Sequence, residues 1–169
     1  MKRPALLVPM MFVATLALPT FAAGKTAKAL LPLAGAEARK WQPDSVLVNI
    51  DTRSAQPDGT VATGPLPGTW AYTFYSPKAK KKALVMVDAK GNLSRDDSGY
   101  FQTAPVGEFS VDSDKAMAAA VKDGLKTNLH GMSMGLEQNS GRSEWRMPDN
   151  KFLYYVDANS GKTRKEKND

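Results

Sequence analysis

No cysteine occurs in the chain, and His130 is its one histidine. The first absence excludes disulfides, thiolate zinc sites, iron–sulfur clusters, cysteine nucleophiles and lipid attachment through cysteine. The second excludes a His-rich metal cage and most pairings of an imidazole base with a nucleophile. Charge is missing between Arg3 and Lys25, and no later segment is apolar enough to span a bilayer. With 42% hydrophobic and 24% charged residues, the chain is too apolar for a disordered protein and ordinary for a globular one. Its 169 residues suit one domain, or two small units packed as one.

The N-terminus carries the clearest signal. Lys2 and Arg3 form a short positive region, the apolar run Ala5–Leu18 follows, and Pro19 precedes the small residues Ala22, Ala23 and Gly24. This is the layout of a secretory signal peptide over residues 1–23, cleaved after Ala22 or Ala23. An uncleaved anchor would fit on length, but Pro9, Pro19 and the small-residue site favour cleavage. The expected location is therefore periplasmic or secreted. Removing Lys2 and Arg3 takes two positive charges from the formal +6. An exported protein of this modest charge is not expected to bind nucleic acid; an acidic protein surface or anionic lipid suits it better. The remaining chain is long enough to bury about two-thirds of its unfolded surface without staples.

Two segments resemble each other, Val85–Leu93 and Tyr154–Lys162. Each reads as a strand ending in Val-Asp-Ala and then a glycine turn, in which Asp bonds its own backbone two residues on. Each follows a Trp-led strand, Trp70–Tyr75 and Glu144–Met147. Turn residues separate the members of each pair, Ser76-Pro77-Lys78 and Pro148-Asp149-Asn150. Upstream, Pro32 suits a first helical position, with Ala34, Ala38 and Trp41 on one face and Pro43 as the stop. Val46, Val48 and Ile50 then alternate as a strand. In the second half Ser113 suits a helix cap, with Asp114 in the first turn and Met117, Val121 and Leu125 on one face. Met132, Met134 and Leu136 alternate after it. The expected fold is α+β, helices packed on antiparallel sheet, as two α-β-β-β units. The first spans 24–98, the second 113–169 with a basic C-terminal tail, and 99–112 links them. Tyr100, Phe101 and Phe109 are expected to pin the connection to the body.

The second half, from Asp114 to about Arg164, resembles a PepSY-type domain. The residues that carry the resemblance are the small-residue helix near Lys115–Lys126, the strand led by Trp145, and the run Phe152–Lys162 with its aromatic strand, Asp, short turn and Gly. Leu31 to Arg95 carries the pattern more loosely and holds a Gly-, Pro- and Thr-rich insert, Asp51 to Gly68. The resemblance implies an exported or membrane-linked α+β unit that binds or restrains partners such as proteases or peptides. It implies no catalytic residues.

The remaining candidates have structural explanations. His130 lies just past the second helix, with no Gly-x-Ser-x-Gly or His-Glu-x-x-His motif in the chain. Asp112-Ser113-Asp114 suits a helix start better than calcium, which wants six or more oxygen ligands. Asp96-Asp97 belongs to a solvated loop. Met86, Met117, Met132, Met134 and Met147 are spread over core positions and form no Met-x-x-Met cluster for copper. The sequon Asn92-Leu93-Ser94 has meaning only in a glycosylating secretory route. No cofactor and no metal is expected. Lys78 and Lys80–Lys82 make a basic turn, which serves an acidic partner or guards a sheet edge.

The expected function is an exported, non-enzymatic binding or inhibitory module for a protein or peptide in the cell envelope. The expected recognition surface includes Tyr155, turned away from the helices, with Lys80, Lys81 and Lys82 nearby if the first hairpin adjoins it. The alternatives are an envelope structural protein at the membrane surface, and an enzyme whose site is assembled only by folding.

Overall fold

The computed structural model describes residues 24–99 and 102–168. Residues 1–23, with the leader and its cleavage site at Ala22 and Ala23, lie outside the described residues, as do Tyr100 and Phe101. Helix α1 spans Ala27–Trp41 and is followed by strands β1 (Val46–Ala55), β2 (Thr69–Ser76), β3 (Lys81–Asp88) and β4 (Leu93–Asp96). Helix α2 spans Ser113–Lys122, followed by β5 (Met132–Asn139), β6 (Arg142–Pro148), β7 (Phe152–Asp157) and β8 (Thr163–Lys167). The strands form one antiparallel sheet in the order β4-β3-β2-β1-β5-β6-β7-β8. The fold is α+β, with α1 packed on β2 and β3 and α2 on β6 and β7.

Each half holds one strand more than the sequence pattern indicates. β4 lies at the end of the first unit, just past its Val-Asp-Ala turn, and β8 in the stretch read as a basic tail. Both are edge strands, and neither alternates apolar with polar residues, so neither gives a period-two signal.

The two halves join through their first strands. Ile50 pairs with Leu136, Asp51 with Gly135 and Thr52 with Met134. Outward from this seam the registers match: Trp70 opposes Val87, and Trp145 opposes Val156. Both indoles are fully buried, and their rings meet edge-on with centroids 6.2 Å apart. Trp70 Nε1 donates to the Lys25 carbonyl (3.0 Å) and Trp145 Nε1 to that of Val111 (2.8 Å), each two residues before its own helix. Ile50, Tyr72, Val85, Val87, Met134, Leu136, Met147, Tyr154 and Val156 fill the layer between sheet and helices with them.

The helix starts differ from the sequence reading. α1 begins at Ala27 with Thr26 as its cap, and Pro32 lies inside it. The reason is tertiary. The Ala27 N–H donates to Ser113 Oγ (3.1 Å) and the Lys28 N–H to Asp112 Oδ1 (3.0 Å), so the second helix start satisfies two N–H groups of the first. Asp112, not Ser113, caps α2, its Oδ1 accepting from the Ser113 N–H at 2.7 Å. The buried face of α2 is Ser113, Ala116, Met117 and Ala120; Val121 is exposed.

The insert within 51–68 is ordered against both helix starts. Val61 is fully buried and exchanges two backbone hydrogen bonds with Lys25. The described residues of the connection between the halves are held against the body. Gly99 lies over Thr73 and Lys82, where an added Cβ would stand 2.8 Å from Thr73 Cγ2. Gln102 then bonds the Gln138 carbonyl, and the Val106 N–H bonds that of Leu47. Phe109 reaches the helix side and packs on Trp145 with ring centroids 6.1 Å apart.

The paired Val-Asp-Ala turns behave as their composition implies. Asp88 Oδ1 accepts from the N–H groups of Lys90 (2.8 Å) and Asn92 (2.9 Å); Asp157 Oδ1 accepts from those of Asn159 (3.1 Å) and Ser160 (2.7 Å). Asn92, the sequon residue, donates its amide to Asp88 at 2.7 Å. These bonds hold both carboxyls below the ordinary 3.8, chiefly through the Asn92 side chain at Asp88 and the Ser160 backbone at Asp157. A depressed folded pKa adds stability above the unfolded value, and that stability is lost as pH falls through the folded value. Asp157→Asn is therefore expected to destabilise the protein at pH 7. Its deficit against the parent should shrink as pH falls below 3.8. Urea unfolding of both proteins from pH 7 to pH 2 measures this, and a deficit independent of pH would count against the assignment.

Candidate functional site on the helix-free face

Strand alternation puts Trp70, Tyr72 and Phe74 under the helices and their neighbours on the opposite face. The centre of that face follows from two strands. β1 contributes Asn49, Asp51 and Arg53, the residues between Val48, Ile50 and Thr52; β5 contributes Ser133, Gly135 and Glu137, between Met132, Met134 and Leu136. With Arg146 and Pro148 of β6 they line a cavity of about 190 Å³. An engineered cavity of about 150 Å³ takes a benzene, whereas drug-sized ligands occupy about 300–1,000 Å³. The space suits one side chain or a very small molecule.

Asp51 and Gly135 face each other across the seam between the halves. Without a side chain at 135, the Asp51 carboxyl opens toward the cavity; a Cβ there would stand 3.6 Å from that of Asp51. Burial pushes the Asp51 pKa above its ordinary 3.8, and the charge of Arg53 opposes the shift. No ion pair within 4 Å joins Asp51, Arg53, Glu137 and Arg146 to one another. Asn49 is only 3% exposed, and its Oδ1 is buried with no hydrogen-bond partner. Thr73 Oγ1, directly across the β1–β2 pair from Asn49, is in the same state. A buried acceptor without a donor costs about 1–3 kcal/mol.

The expected surface residues fall elsewhere. Tyr155 does lie on the helix-free face, opposite Arg146, but it is only 7% exposed. The Arg164 guanidinium stacks on its ring at 3.8 Å and makes a two-pronged contact with Glu144, Nε to Oε1 at 2.9 Å and Nη2 to Oε2 at 2.6 Å. The bonds to Glu144 push the Arg164 pKa up. Lys80, Lys81 and Lys82 sit at the β2–β3 hairpin, and β2, β1, β5 and β6 lie between β3 and β7. At about 4.8 Å per strand the lysines are some 24 Å from Tyr155, so the two do not form one surface.

His130 is exposed in the turn before Gly131, its N–H bonded to Asn128 Oδ1 at 2.9 Å. Asp96 and Asp97 are exposed, with Arg95 3.8 Å from Asp97. Met86 is also exposed and belongs to the helix-free face, where it pairs with Ala71. Among the described residues, no group of three or more His, Cys, Asp or Glu is placed to hold a metal. Asn49, Asp51, Arg53, Glu137 and Arg146 were not among the expected site residues. Their polar alternation between apolar strand positions is visible in the sequence, but the β1–β5 pairing that brings them together is not.

No protein-family model matches the chain, and no curated protein sequence is similar to it. Among solved structures, the fold is similar to that of a "putative lipoprotein" from Clostridium difficile 630. The two share 12% identity at a TM-score of 0.54, over 79% of this chain and 90% of the other. At that identity the likeness is one of fold. Among the described residues, no helix is long and apolar enough to cross a membrane.

Proposed function

We propose that this chain is an exported, envelope-associated binding module of two PepSY-like halves that holds a protein or peptide on the helix-free face of its sheet. The observation that carries this reading is the central cavity, where four charged side chains form no ion pair with one another and the Asn49 oxygen lacks a hydrogen-bond donor. The edges are poorer candidates. β4 has four residues, all exposed, and β8 carries Lys165 and Lys167, the features that discourage strand addition. The leader-like N-terminus and the name of the Clostridium protein support an envelope location. A membrane-surface role draws less support, because the lysines of the β2–β3 turn and those of β8 lie at separate places on the sheet and make no continuous basic face.

The enzyme reading has one observation in its favour, two partly buried carboxyls, Asp51 and Glu137, in a single cavity. The cavity is small for a substrate.

The test is to recover a partner from the envelope by cross-linking to the full chain, then to map its footprint by amide exchange. Arg146→Glu is expected to weaken the purified complex by about tenfold or more, as for an interface charge. His130→Ala should leave it unchanged. A complex insensitive to Arg146→Glu but lost on reversing Lys80–Lys82 would overturn the assignment of this face, and a measurable turnover abolished by Asp51→Asn would replace it with the enzyme.

A further inference from the structure

Building on that binding reading, we propose that the central cavity takes a lysine side chain of the partner, its ammonium held by Asp51, Glu137 and the Asn49 carbonyl oxygen. The floor of the cavity is rich in acceptors. Asn49 Oδ1 is buried and lacks a donor, and no ion pair within 4 Å engages the carboxylates of Asp51 or Glu137. What these groups lack in common is an N–H donor; the Arg53 charge acts on Asp51 without forming an ion pair with it. Burial disfavours the Asp51 carboxylate, and an inserted cation would offset that penalty.

Geometry favours an ammonium over a guanidinium. Asn49 and Glu137 are direct partners across β1 and β5, so their Cβ atoms stand about 4.5–5.5 Å apart. Asp51 lies two residues along β1 on the same face. Three separate acceptors at the corners of a triangle suit the three N–H groups of an ammonium. The planar fork of arginine suits the two oxygens of one carboxylate instead. The volume, about 190 Å³, admits a single side chain. Gly135 keeps the approach to Asp51 open, since any Cβ there would project into the cavity 3.2 Å from the Ile50 carbonyl oxygen. Arg53 and Arg146 stand exposed at the rim. They are placed to meet carbonyl or acidic groups flanking the lysine. They also disfavour a bare divalent cation, which would find three side-chain ligands where calcium wants six to eight.

Nitrogen-15 NMR of the full chain tests this with four probes: the N-acetyl, N-methylamide derivatives of lysine, norleucine, arginine and glutamate. The lysine probe is expected to shift the amides of Asp51, Gly135 and Arg146 in a saturable way, at millimolar concentration. Norleucine, with the same stem and no charge, should shift none of them. Asp51→Asn should weaken the lysine titration by about tenfold or more, equivalent to 1.4 kcal/mol, while amides under the helices keep their positions. Gly135→Ala, which fills the cavity and leaves every charge in place, should do the same. Equal shifts from lysine and norleucine would overturn the proposal, as would a stronger response to arginine or glutamate. Calcium chloride that shifts the same amides and displaces the lysine probe would overturn it in favour of a metal site. A partner whose footprint covers this face but ignores Asp51→Asn would remove the lysine and leave the binding reading standing. A footprint elsewhere on the protein would remove the binding reading itself.

Discussion

Trp145→Ala is expected to lower the free energy of unfolding by about 3–5 kcal/mol. The indole is fully buried, and its removal opens a cavity at the point where both halves and the connection meet. Trp70 touches it edge-on at 6.2 Å and Phe109 at 6.1 Å, so neither neighbour can close the space without leaving its own site. The Val111 carbonyl, which accepts from Trp145 Nε1, would also lose its donor at the start of α2. Trp70→Ala should cost a similar amount, since that indole is equally buried, although the Lys25 carbonyl that it bonds keeps the Val61 N–H. The double replacement should fall short of the sum by about 0.5–1.5 kcal/mol, the coupling of an edge-on aromatic pair. Urea denaturation at pH 7 measures all three. A curve for Trp145→Ala that overlays the parent would show that the indole does not hold the halves together.

Gly59→Ala should destabilise the protein by roughly 2–4 kcal/mol, through backbone strain and a clash with main-chain atoms. Gly59 has φ +76°, a conformation that side-chain-bearing residues avoid. Its added Cβ would stand 2.3 Å from the Ser113 carbonyl oxygen and 2.8 Å from Asp114 Cα. Both are backbone atoms of the first turn of α2, so relief requires the insert or the helix start to move. Either movement strains the cluster in which Ser113 Oγ and Asp112 Oδ1 accept from the first N–H groups of α1. Gly64 in the same insert is the control. Nothing lies within 4 Å of its added Cβ, and Gly64→Ala should change stability by less than about 0.5 kcal/mol. Thermal and urea unfolding of both variants decide the matter; equal, small effects would mean that the insert does not bear on the helices.

The features readable from the chain alone are those whose cause is local. Alternation set the helix side of β2 and β5, because residues two apart share a face whatever the partner strand is. In β1 an irregularity between Leu47 and Asn49 breaks it, so Leu47 packs on the core and Val46 pairs with Tyr75 instead of sharing the face of Ile50. The Val-Asp-Ala turns were legible because Asp88 and Asp157 bond backbone within four residues of themselves. The α+β class follows from such segments taken together. Folding decided the rest, because the interactions concerned span long separations. Asp51 gains its significance from facing Gly135, and the pairing of β1 with β5 leaves no local mark in either strand. The start of α1 was misplaced because Ser113 and Asp112 supply two of the acceptors for its first turn from more than eighty residues away. Tyr155 faces the side that alternation assigns it, yet Arg164 covers it, and Arg164 lies in a strand too polar to announce itself. The central cavity depends on three strands from both halves, so its residues become neighbours only when the sheet closes across the seam.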